Sequence, residues 1–280
     1  ANYDAGREHL PTKAADVVCS SDVDVMDPSC PGTFAGMCSI VLAYQVHPRF
    51  PLLLAANRDE FFARPTQPLH HWSDLPDILA GRDLPAGGTW MGLHATGRFA
   101  ALTNYRDLSR PAVQGPSRGM LVRQALERPV GLGDTGRYEG FNLLYGPLSA
   151  LRYHNNITPT DMPLPLGVHG LSNALLDTPW PKVQQLKAGM EAVLERPEED
   201  PIPALFRLMA DDRFASEDQL PDTGLPLELE RAVSAVFIRT PDYGTRCTTV
   251  LALDNEGQVH YEERTWPSGA AVVERLRLPR

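Results

Sequence analysis

The sequence predicts an α+β fold in which antiparallel β-sheets are covered by helices on their outer faces. Two observations support this prediction. Short apolar and β-branched segments separated by turns lie toward both ends of the 280-residue chain, and helical periodicity is found in its middle. That order suits antiparallel sheets better than the regular alternation of strand and helix that a parallel sheet requires. A chain of this length buries a core as one domain, with or without an appendage.

A change in composition at Met37 marks the predicted start of the folded domain. Residues 1–36 are rich in aspartate and lack a sustained hydrophobic period, so we interpret them as an N-terminal extension and expect the domain to span residues 37–280. Two explanations of the extension remain. Either Met37 is the true initiator, or the segment is a pro-segment that is later removed. Both leave Cys38 as the amino terminus, since methionine is removed when a small residue follows it.

Hydrophobic periodicity assigns the individual elements within this domain. The predicted strands cover residues 38–44, 52–56, 90–93, 99–103, 141–145, 151–154, 233–239, 248–253 and 259–263. The predicted helices cover residues 118–127, 180–195 and 203–209, each bounded by a proline or glycine. Several strand pairs are separated only by short turn sequences, which predicts hairpins.

Composition excludes several classes of function. The chain carries 26 Lys and Arg against 35 Asp and Glu, a net charge of −9, and has no basic cluster, so nucleic acid is not an expected partner. No apolar run approaches the roughly 20 residues of a membrane span, and no signal peptide is evident. The 4 cysteines form no CxxC pair and are too few for a disulfide framework. We therefore expect free thiols and a cytoplasmic location.

Cys38 is the first candidate for chemistry. An amino-terminal cysteine has its own α-amine, with a pKa near 8, beside the thiol, so that one residue supplies both nucleophile and general base. The alternative interpretation is that Cys38 is a small apolar residue within its strand.

Four polar residues, Asn57-Arg58-Asp59-Glu60, directly follow the second predicted strand. At a strand end, Arg58 would lower the pKa of the thiol and Asp59 would orient the α-ammonium group. A surface ion pair of little energetic consequence is the alternative.

Three further polar residues lie where predicted strands meet turns: Asn104, Asn173 and Arg246. The neutral amides of Asn104 and Asn173 suit an oxyanion hole, and the guanidinium of Arg246 suits a carboxylate. Asparagine is also frequent at turns and caps, and an arginine at such a junction also lies in solvent, so structural roles remain open.

Three motif matches do not predict chemistry. Residues 131–136 spell GxGxxG, but they follow a helix rather than a strand. Residues 170–174 approximate GxSxG but end in alanine. His70-His71 lacks the HExxH spacing of a zinc site. We interpret all three as loop or surface segments.

The motif blocks together resemble a known family. They are Met37-Cys38, Ala56-Asn57-Arg58-Asp59-Glu60, Gly87-Gly88-Thr89-Trp90-Met91-Gly92, Ala101-Leu102-Thr103-Asn104-Tyr105, Gly140-Phe141-Asn142-Leu143, Gly170-Leu171-Ser172-Asn173-Ala174 and Tyr243-Gly244-Thr245-Arg246. In this order, they resemble the NRDE-motif family, also called the transport and Golgi organization protein 2 family. Matching blocks run from Met37 to about Arg264; residues 1–36 fall outside them.

The resemblance implies a four-layer αββα sandwich of two antiparallel sheets, of the N-terminal nucleophile (Ntn) hydrolase type. It also implies a distant similarity to the cysteine acylases that cleave penicillin V and conjugated bile salts. Carried over by similarity, the site consists of Cys38 as nucleophile, Arg58 and Asp59 beside it, Asn173 in the oxyanion hole with Asn104 as a second candidate, and Arg246 supporting the nucleophile. The acylases separate their Arg and Asp by two residues, whereas Arg58 and Asp59 are adjacent, so either Asp59 or Glu60 takes the acid role.

The function implied is that of a cytosolic amidohydrolase acting on non-peptide carbon–nitrogen bonds of a small acyl amide, without a metal or organic cofactor. The alternative is a non-catalytic protein that binds or moves haem or an acyl lipid in the same cleft, with Cys38 or a nearby histidine as an iron ligand. A degenerate hydrolase that serves only as a structural partner is a third reading. The sequence leaves the substrate and the oligomeric state open.

Overall fold

The computed structural model describes residues 38–128 and 131–279. The predicted extension at residues 1–36 therefore lies outside the described residues. The strands are β1 (Cys38–Tyr44), β2 (Leu52–Phe61), β3 (Thr66–His71), β4 (Ile78–Asp83), β5 (Met91–His94), β6 (Arg98–Asn104), β7 (Phe141–Pro147), β8 (Arg152–Asn155), β9 (Thr160–Pro163), β10 (Gly167–Leu171), β11 (Tyr243–Leu253), β12 (Gln258–Thr265) and β13 (Ala270–Arg277). The helices are α1 (Arg118–Glu127), α2 (Pro181–Leu194), α3 (Pro201–Met209) and α4 (Leu227–Ala232), with a 3₁₀ turn at Glu217–Gln219.

The strands form two sheets. One sheet has the order β10-β1-β2-β11-β12-β13, and the other has the order β3-β4-β5-β6-β7-β8-β9. Each pair of neighbouring strands is antiparallel. The prediction of antiparallel sheets is confirmed.

Alternation along β1 shows how four layers arise. Ile40 and Leu42 face a core shared by the two sheets, whereas Val41 and Ala43 face a second core that includes residues of α2 and α3. A third core, on the outer face of the other sheet, includes Leu121 and its neighbours on α1. The order is therefore helices, sheet, sheet, helix, and the predicted αββα sandwich is confirmed.

Local sequence explains where the helices begin. The Ser117 hydroxyl accepts the N–H of Gly119 at 3.3 Å at the start of α1. The Asp200 carboxylate accepts the N–H of Ile202 at 3.0 Å at the start of α3. Proline occupies the first helical position in both α2 and α3, where its missing N–H has no intrahelical acceptor to lose.

The second predicted strand proves longer than expected. It continues through Asn57, Arg58, Asp59 and Glu60 to Phe61, so these polar residues lie within β2 and not after it. The side chain of Asn57 is buried with all of its polar atoms bonded. The Asn57 Nδ2 donates to the carbonyls of Met209 at 2.9 Å and Val236 at 2.8 Å, and the Thr248 hydroxyl donates to Asn57 Oδ1 at 2.7 Å.

The predicted strand at residues 233–239 is wrong. After α4 the chain runs as turns and bends, with only an isolated bridge at Arg239. Its apolar side chains are buried, but its backbone groups bond outside a sheet. Phe237 N–H donates to the Asp211 carbonyl at 2.8 Å, and Ile238 N–H donates to the Thr245 hydroxyl at 2.9 Å.

Five strands lie outside the predicted ranges: β3, β4, β9, β10 and β13. His70-His71, interpreted above as a loop, belongs to β3 at the edge of its sheet. This strand contains a proline and two histidines, and Leu69 is the only buried residue in it, so its sequence does not show alternating apolar residues.

Among the described residues, no helix has both the length and the apolar character needed to cross a membrane.

Candidate active site

Cys38 is the first residue of β1 and lies opposite Arg58 on β2, which in turn lies opposite Cys247 on β11. Directly opposed residues of antiparallel strands project to the same side, so the three side chains share the face between the two sheets. The two cysteines are free thiols. They stand two strand spacings apart, roughly 9.6 Å, which exceeds the reach of a disulfide.

Arg58 is held in place by the opposite sheet as well as by its own strand. Its guanidinium lies 4.3 Å from the centroid of the Trp90 ring. Its Nη2 lies 3.5 Å from Glu60 Oε2, and its Nη1 donates to the Thr66 hydroxyl at 3.3 Å. These contacts fix a cation beside the Cys38 thiol.

The electrostatics of Cys38 are dominated by burial. The residue is only 8% exposed, and this burial, with the Asp59 carboxyl, raises the pKa of the thiol to about 12. Arg58 and the backbone N–H of Asp59 act in the opposite direction and lower that pKa. Arg58 thus has the direction of effect expected from the sequence, but desolvation exceeds it, so the thiol is protonated at neutral pH.

Asp59 faces the other side of the sheet, toward the helices. Its side chain is fully buried, and its Oδ1 accepts the Thr245 hydroxyl at 2.6 Å. Among the described residues, its Oδ2 has no hydrogen-bond partner. Burial raises the pKa of this carboxyl to about 7, while Lys182, Thr245 and Arg58 lower it. A carboxylate oxygen buried without a partner is costly and marks a position where a donor is expected.

Glu60 occupies a different environment from Asp59. Successive strand residues point to opposite faces, so Glu60 lies on the inter-sheet face with Arg58. Its Oε2 lies 3.5 Å from Arg58 Nη2 and 3.6 Å from Arg64 Nε. Arg64 also pairs with Asp83 at 2.7 Å. Glu60 therefore belongs to a network of ion pairs.

The structure brings Asn104 and Asn173 together beside β1. Asn173 Nδ2 donates to the Asn104 carbonyl at 2.9 Å. The adjacent Ser172 hydroxyl donates to the Cys38 carbonyl at 3.4 Å. Asn104 ends β6 in one sheet and Asn173 follows β10 in the other, so this contact links the two sheets at the level of Cys38.

Arg246 stands at a β-bulge between Thr245 and Cys247. Its Nη1 donates to three backbone carbonyls, those of Phe61 at 2.7 Å, Phe62 at 2.8 Å and Arg64 at 3.2 Å. The side chain of Arg246 is partly buried. These hydrogen bonds hold the end of β2 and the segment after it in place, and thereby help to fix the positions of Arg58 and Asp59.

Sequence reasoning missed Lys182. This lysine is the second residue of α2, is 3% exposed, and donates from Nζ to the Val233 carbonyl at 2.9 Å. Burial lowers its pKa to about 8, and Asp59 raises it. A lysine at a helix start normally indicates a solvated surface, so nothing in the local pattern distinguished this one.

Glu263 and Cys247 form a second buried polar pair that the sequence did not indicate. Leu69 N–H donates to Glu263 Oε1 at 2.8 Å, and the Glu263 carboxyl group acts electrostatically on the Cys247 thiol. Burial raises the pKa of Glu263 to about 7 and that of Cys247 well above its ordinary value.

No group of three or more His, Cys, Asp or Glu side chains within residues 38–128 and 131–279 is arranged to hold a metal ion.

With this geometry established, comparison with known proteins identifies the family. The model of the family described as Transport and Golgi organisation 2 matches residues 37–268. This chain belongs to the Transport and Golgi organisation 2 family. The resemblance inferred from the motif blocks is confirmed, and residues 1–36 lie outside the match.

Relatives in the Transport and Golgi organisation 2 family match over most of their length. The Transport and Golgi organization protein 2 homologs of Bos taurus and Homo sapiens are 36% and 35% identical to this chain, over 82% of it and 93% of each relative. Transport and Golgi organization protein 2 of Drosophila melanogaster is 29% identical, over 82% of this chain and 92% of its own.

Two similar solved structures have the names of hydrolases. A mutant of conjugated bile acid hydrolase from Clostridium perfringens aligns with a TM-score of 0.45 and 9% identity, covering 86% of this chain and 92% of its own. The Caenorhabditis elegans ortholog of N-acylethanolamine-hydrolyzing acid amidase aligns with a TM-score of 0.39 and 10% identity, covering 76% and 92%.

Proposed function

We propose that this chain is a cysteine Ntn-type amidohydrolase that acts on non-peptide carbon–nitrogen bonds of small linear amides. Cys38 is the nucleophile, and the α-amine of the same residue is the general base. The observation that carries the proposal is the buried Asp59 Oδ2, which has no partner among the described residues and lies beside the start of β1.

Strand register supports the proximity of Asp59 to the α-amine of Cys38. Cys38 pairs with Arg58 and Ser39 with Asn57, so Asp59 stands one position beyond Cys38 along β2. In a mature chain that begins at Cys38, the α-ammonium group lies next to the Asp59 carboxylate, which gives Oδ2 its donor. Glu60 faces the opposite side of the sheet, so Asp59 takes the acid role that the sequence left open between the two.

The chemistry needs no cofactor. The α-amine accepts the proton of the Cys38 thiol as Sγ bonds to the amide carbon, and the carbonyl electrons move to oxygen. The carbonyl then re-forms, the carbon–nitrogen bond breaks, and the α-ammonium group gives its proton to the leaving amine. Water adds to the thioester by the same sequence and releases the acid and the thiol.

The remaining site residues stabilise these steps. Asn104 and Asn173 border the start of β1 from the two sheets and supply neutral amide donors for the developing oxyanion. Arg58 favours the thiolate electrostatically. Arg246 holds the end of β2 and thereby the positions of Arg58 and Asp59.

One observation favours a second candidate function. While Cys38 is joined through its nitrogen to a preceding residue, no α-amine is present, and a thiol with a pKa of about 12 is a poor nucleophile. In that form the same site is better suited to binding a small molecule, such as haem or an acyl lipid, than to hydrolysis.

Turnover of a panel of acyl amides tests the proposal, with protein expressed from its own gene in the cytoplasm and its amino terminus determined by mass spectrometry. Cys38→Ala should lower kcat/KM by at least ~10³-fold, because the nucleophile is removed. Cys247→Ala is the matched control, since Cys247 is also a buried thiol opposite Arg58, and should retain turnover. Turnover that survives Cys38→Ala, or folded protein with a free Cys38 amine and no turnover, contradicts the hydrolase.

A further inference from the structure

Lys182 occupies a position that is unfavourable for a cation. It is buried, and it lies in the first turn of α2, where the helix dipole presents its positive end. Its ammonium has three donors, and the Val233 carbonyl accepts one of them. A charge retained at such a cost is expected to act on another charged group nearby.

The groups facing Lys182 identify that partner. Arg106, after β6, and Glu230, on α4, interact with Lys182, but they pair with each other at 2.9 Å. Cys38 on β1 is a protonated thiol, and Tyr243 on β11 interacts with Arg106. On β2, Arg58 and Glu60 act on Asp59 from the far side of the sheet. Asp59 is the anion left to Lys182.

Asp59 is also the group beside the start of β1, and a second unsatisfied acceptor accompanies it. Ser39 Oγ is buried without a hydrogen-bond partner among the described residues. Ser39 lies opposite Asn57 on the helix-facing side of the sheet, the side to which Asp59 points. Asp59 Oδ2 and Ser39 Oγ thus offer two acceptors to a group that carries several N–H donors.

We propose that Lys182 is a positioning residue that shares Asp59 with the α-amine of Cys38 and thereby keeps this amine in its neutral, proton-accepting form. The inference rests on the proposed function, because it requires a chain that begins at Cys38. Lys182 does not touch the substrate. It acts through Asp59.

Charge balance in the buried site explains the effect. A lysine and an α-amine that both carry a proton would place two positive charges beside one carboxylate, and a low-dielectric interior penalises the excess charge. While Lys182 carries its proton, its positive charge lowers the pKa of the neighbouring α-amine, so this amine is neutral over a wider pH range.

The test replaces the charge and keeps the donor. Lys182→Gln retains an N–H for the Val233 carbonyl but removes the ammonium. In a chain that begins at Cys38, the pKa of the α-amine should then rise by about one unit or more, since a neighbouring cation within the protein interior is lost. Lys182→Arg keeps the charge and should restore the original value. The three apolar cores begin at Ile40, so this chain retains the whole described core.

Two readouts separate this proposal from the hydrolase itself. The first is the acidic limb of the kcat/KM profile, which should move to higher pH in Lys182→Gln. The second requires no turnover. Cys38 and Cys247 are the only cysteines beyond residue 37, so ¹³C-labelled cysteine in a Cys247→Ala background reports the titration of the α-amine directly by NMR.

Lys187→Gln is the matched control, because Lys187 lies on the same helix but forms a half-exposed ion pair with Asp177 at 2.7 Å. It should leave both readouts unchanged. A titration midpoint that moves in Lys182→Gln but not in Lys187→Gln supports the proposal even if no amide is hydrolysed. A midpoint that is equal in wild type and Lys182→Gln overturns it even if the enzyme is active. If Lys182→Gln fails to fold, the same comparison is made with Lys182→Met.

Discussion

Glu263→Gln tests whether burial governs the electrostatics between the two sheets. Glu263 is 3% exposed, and burial raises its pKa from 4.5 to about 7. A carboxyl whose pKa is raised by folding holds its proton more tightly in the folded state. Its contribution to stability is complete below about pH 4.5 and is lost as pH rises through 7. The ionised form is therefore penalised by about 3 kcal/mol above pH 7.

Glutamine keeps the geometry and removes the titration. Its Oε1 can still accept the Leu69 N–H that Glu263 accepts at 2.8 Å. At pH 8 the variant should be more stable than the wild type by up to about 3 kcal/mol, and at pH 5 the two should differ by less than about 1 kcal/mol. Urea unfolding at both values, followed by tryptophan fluorescence, measures the difference.

Glu256→Gln is the control, because Glu256 lies exposed in the turn between β11 and β12. It should not change the pH dependence. If Glu263→Gln altered stability equally at pH 5 and pH 8, Glu263 would not titrate in this range, and the argument from burial would be refuted.

Two further substitutions test the packing around the site. Asn57→Ala should destabilise the fold by about 3 kcal/mol, because two buried carbonyls and the Thr248 hydroxyl would lose their hydrogen-bond partner. Asn255 is more exposed, so Asn255→Ala should cost only about 1 kcal/mol. Equal losses of stability in urea unfolding would refute this reasoning. Gly88→Ala should lower the free energy of unfolding by about 1–3 kcal/mol, because the added Cβ would lie 2.4 Å from the backbone of Gly119 in α1. Gly136→Ala is the control. If both variants had the same thermal midpoint, the prediction for Gly88 would be wrong.

The sequence predicted most of the central strands. The strand at residues 38–44 has the predicted bounds, and the hairpins formed by β5 with β6, β7 with β8 and β11 with β12 are confirmed. These strands contain continuous or alternating apolar residues because at least one face of each is buried. Edge strands escaped prediction. β9 has no fully buried residue, so its sequence carries little hydrophobic signal.

Residue types and motif order predicted one shared site for Cys38, Arg58, Asp59, Asn104, Asn173 and Arg246. They did not predict on which side of the sheet each side chain lies. A stretch of four polar residues looked like a strand end, because its hydrogen-bond partners are supplied by chain segments about 150 residues or more away. Lys182 and Glu263 were missed for the same reason. Each is an ordinary surface residue in sequence, and only packing shows that it is buried.

The central claim is that Cys38 carries both nucleophile and base. Intact-mass analysis with amino-terminal sequencing of the mature protein, expressed from its native gene, tests it most directly. The account predicts a chain that begins at Cys38 with an unmodified α-amine. A mature chain that retains residues before Cys38 would contradict the hydrolase mechanism and favour ligand binding as the function of this site.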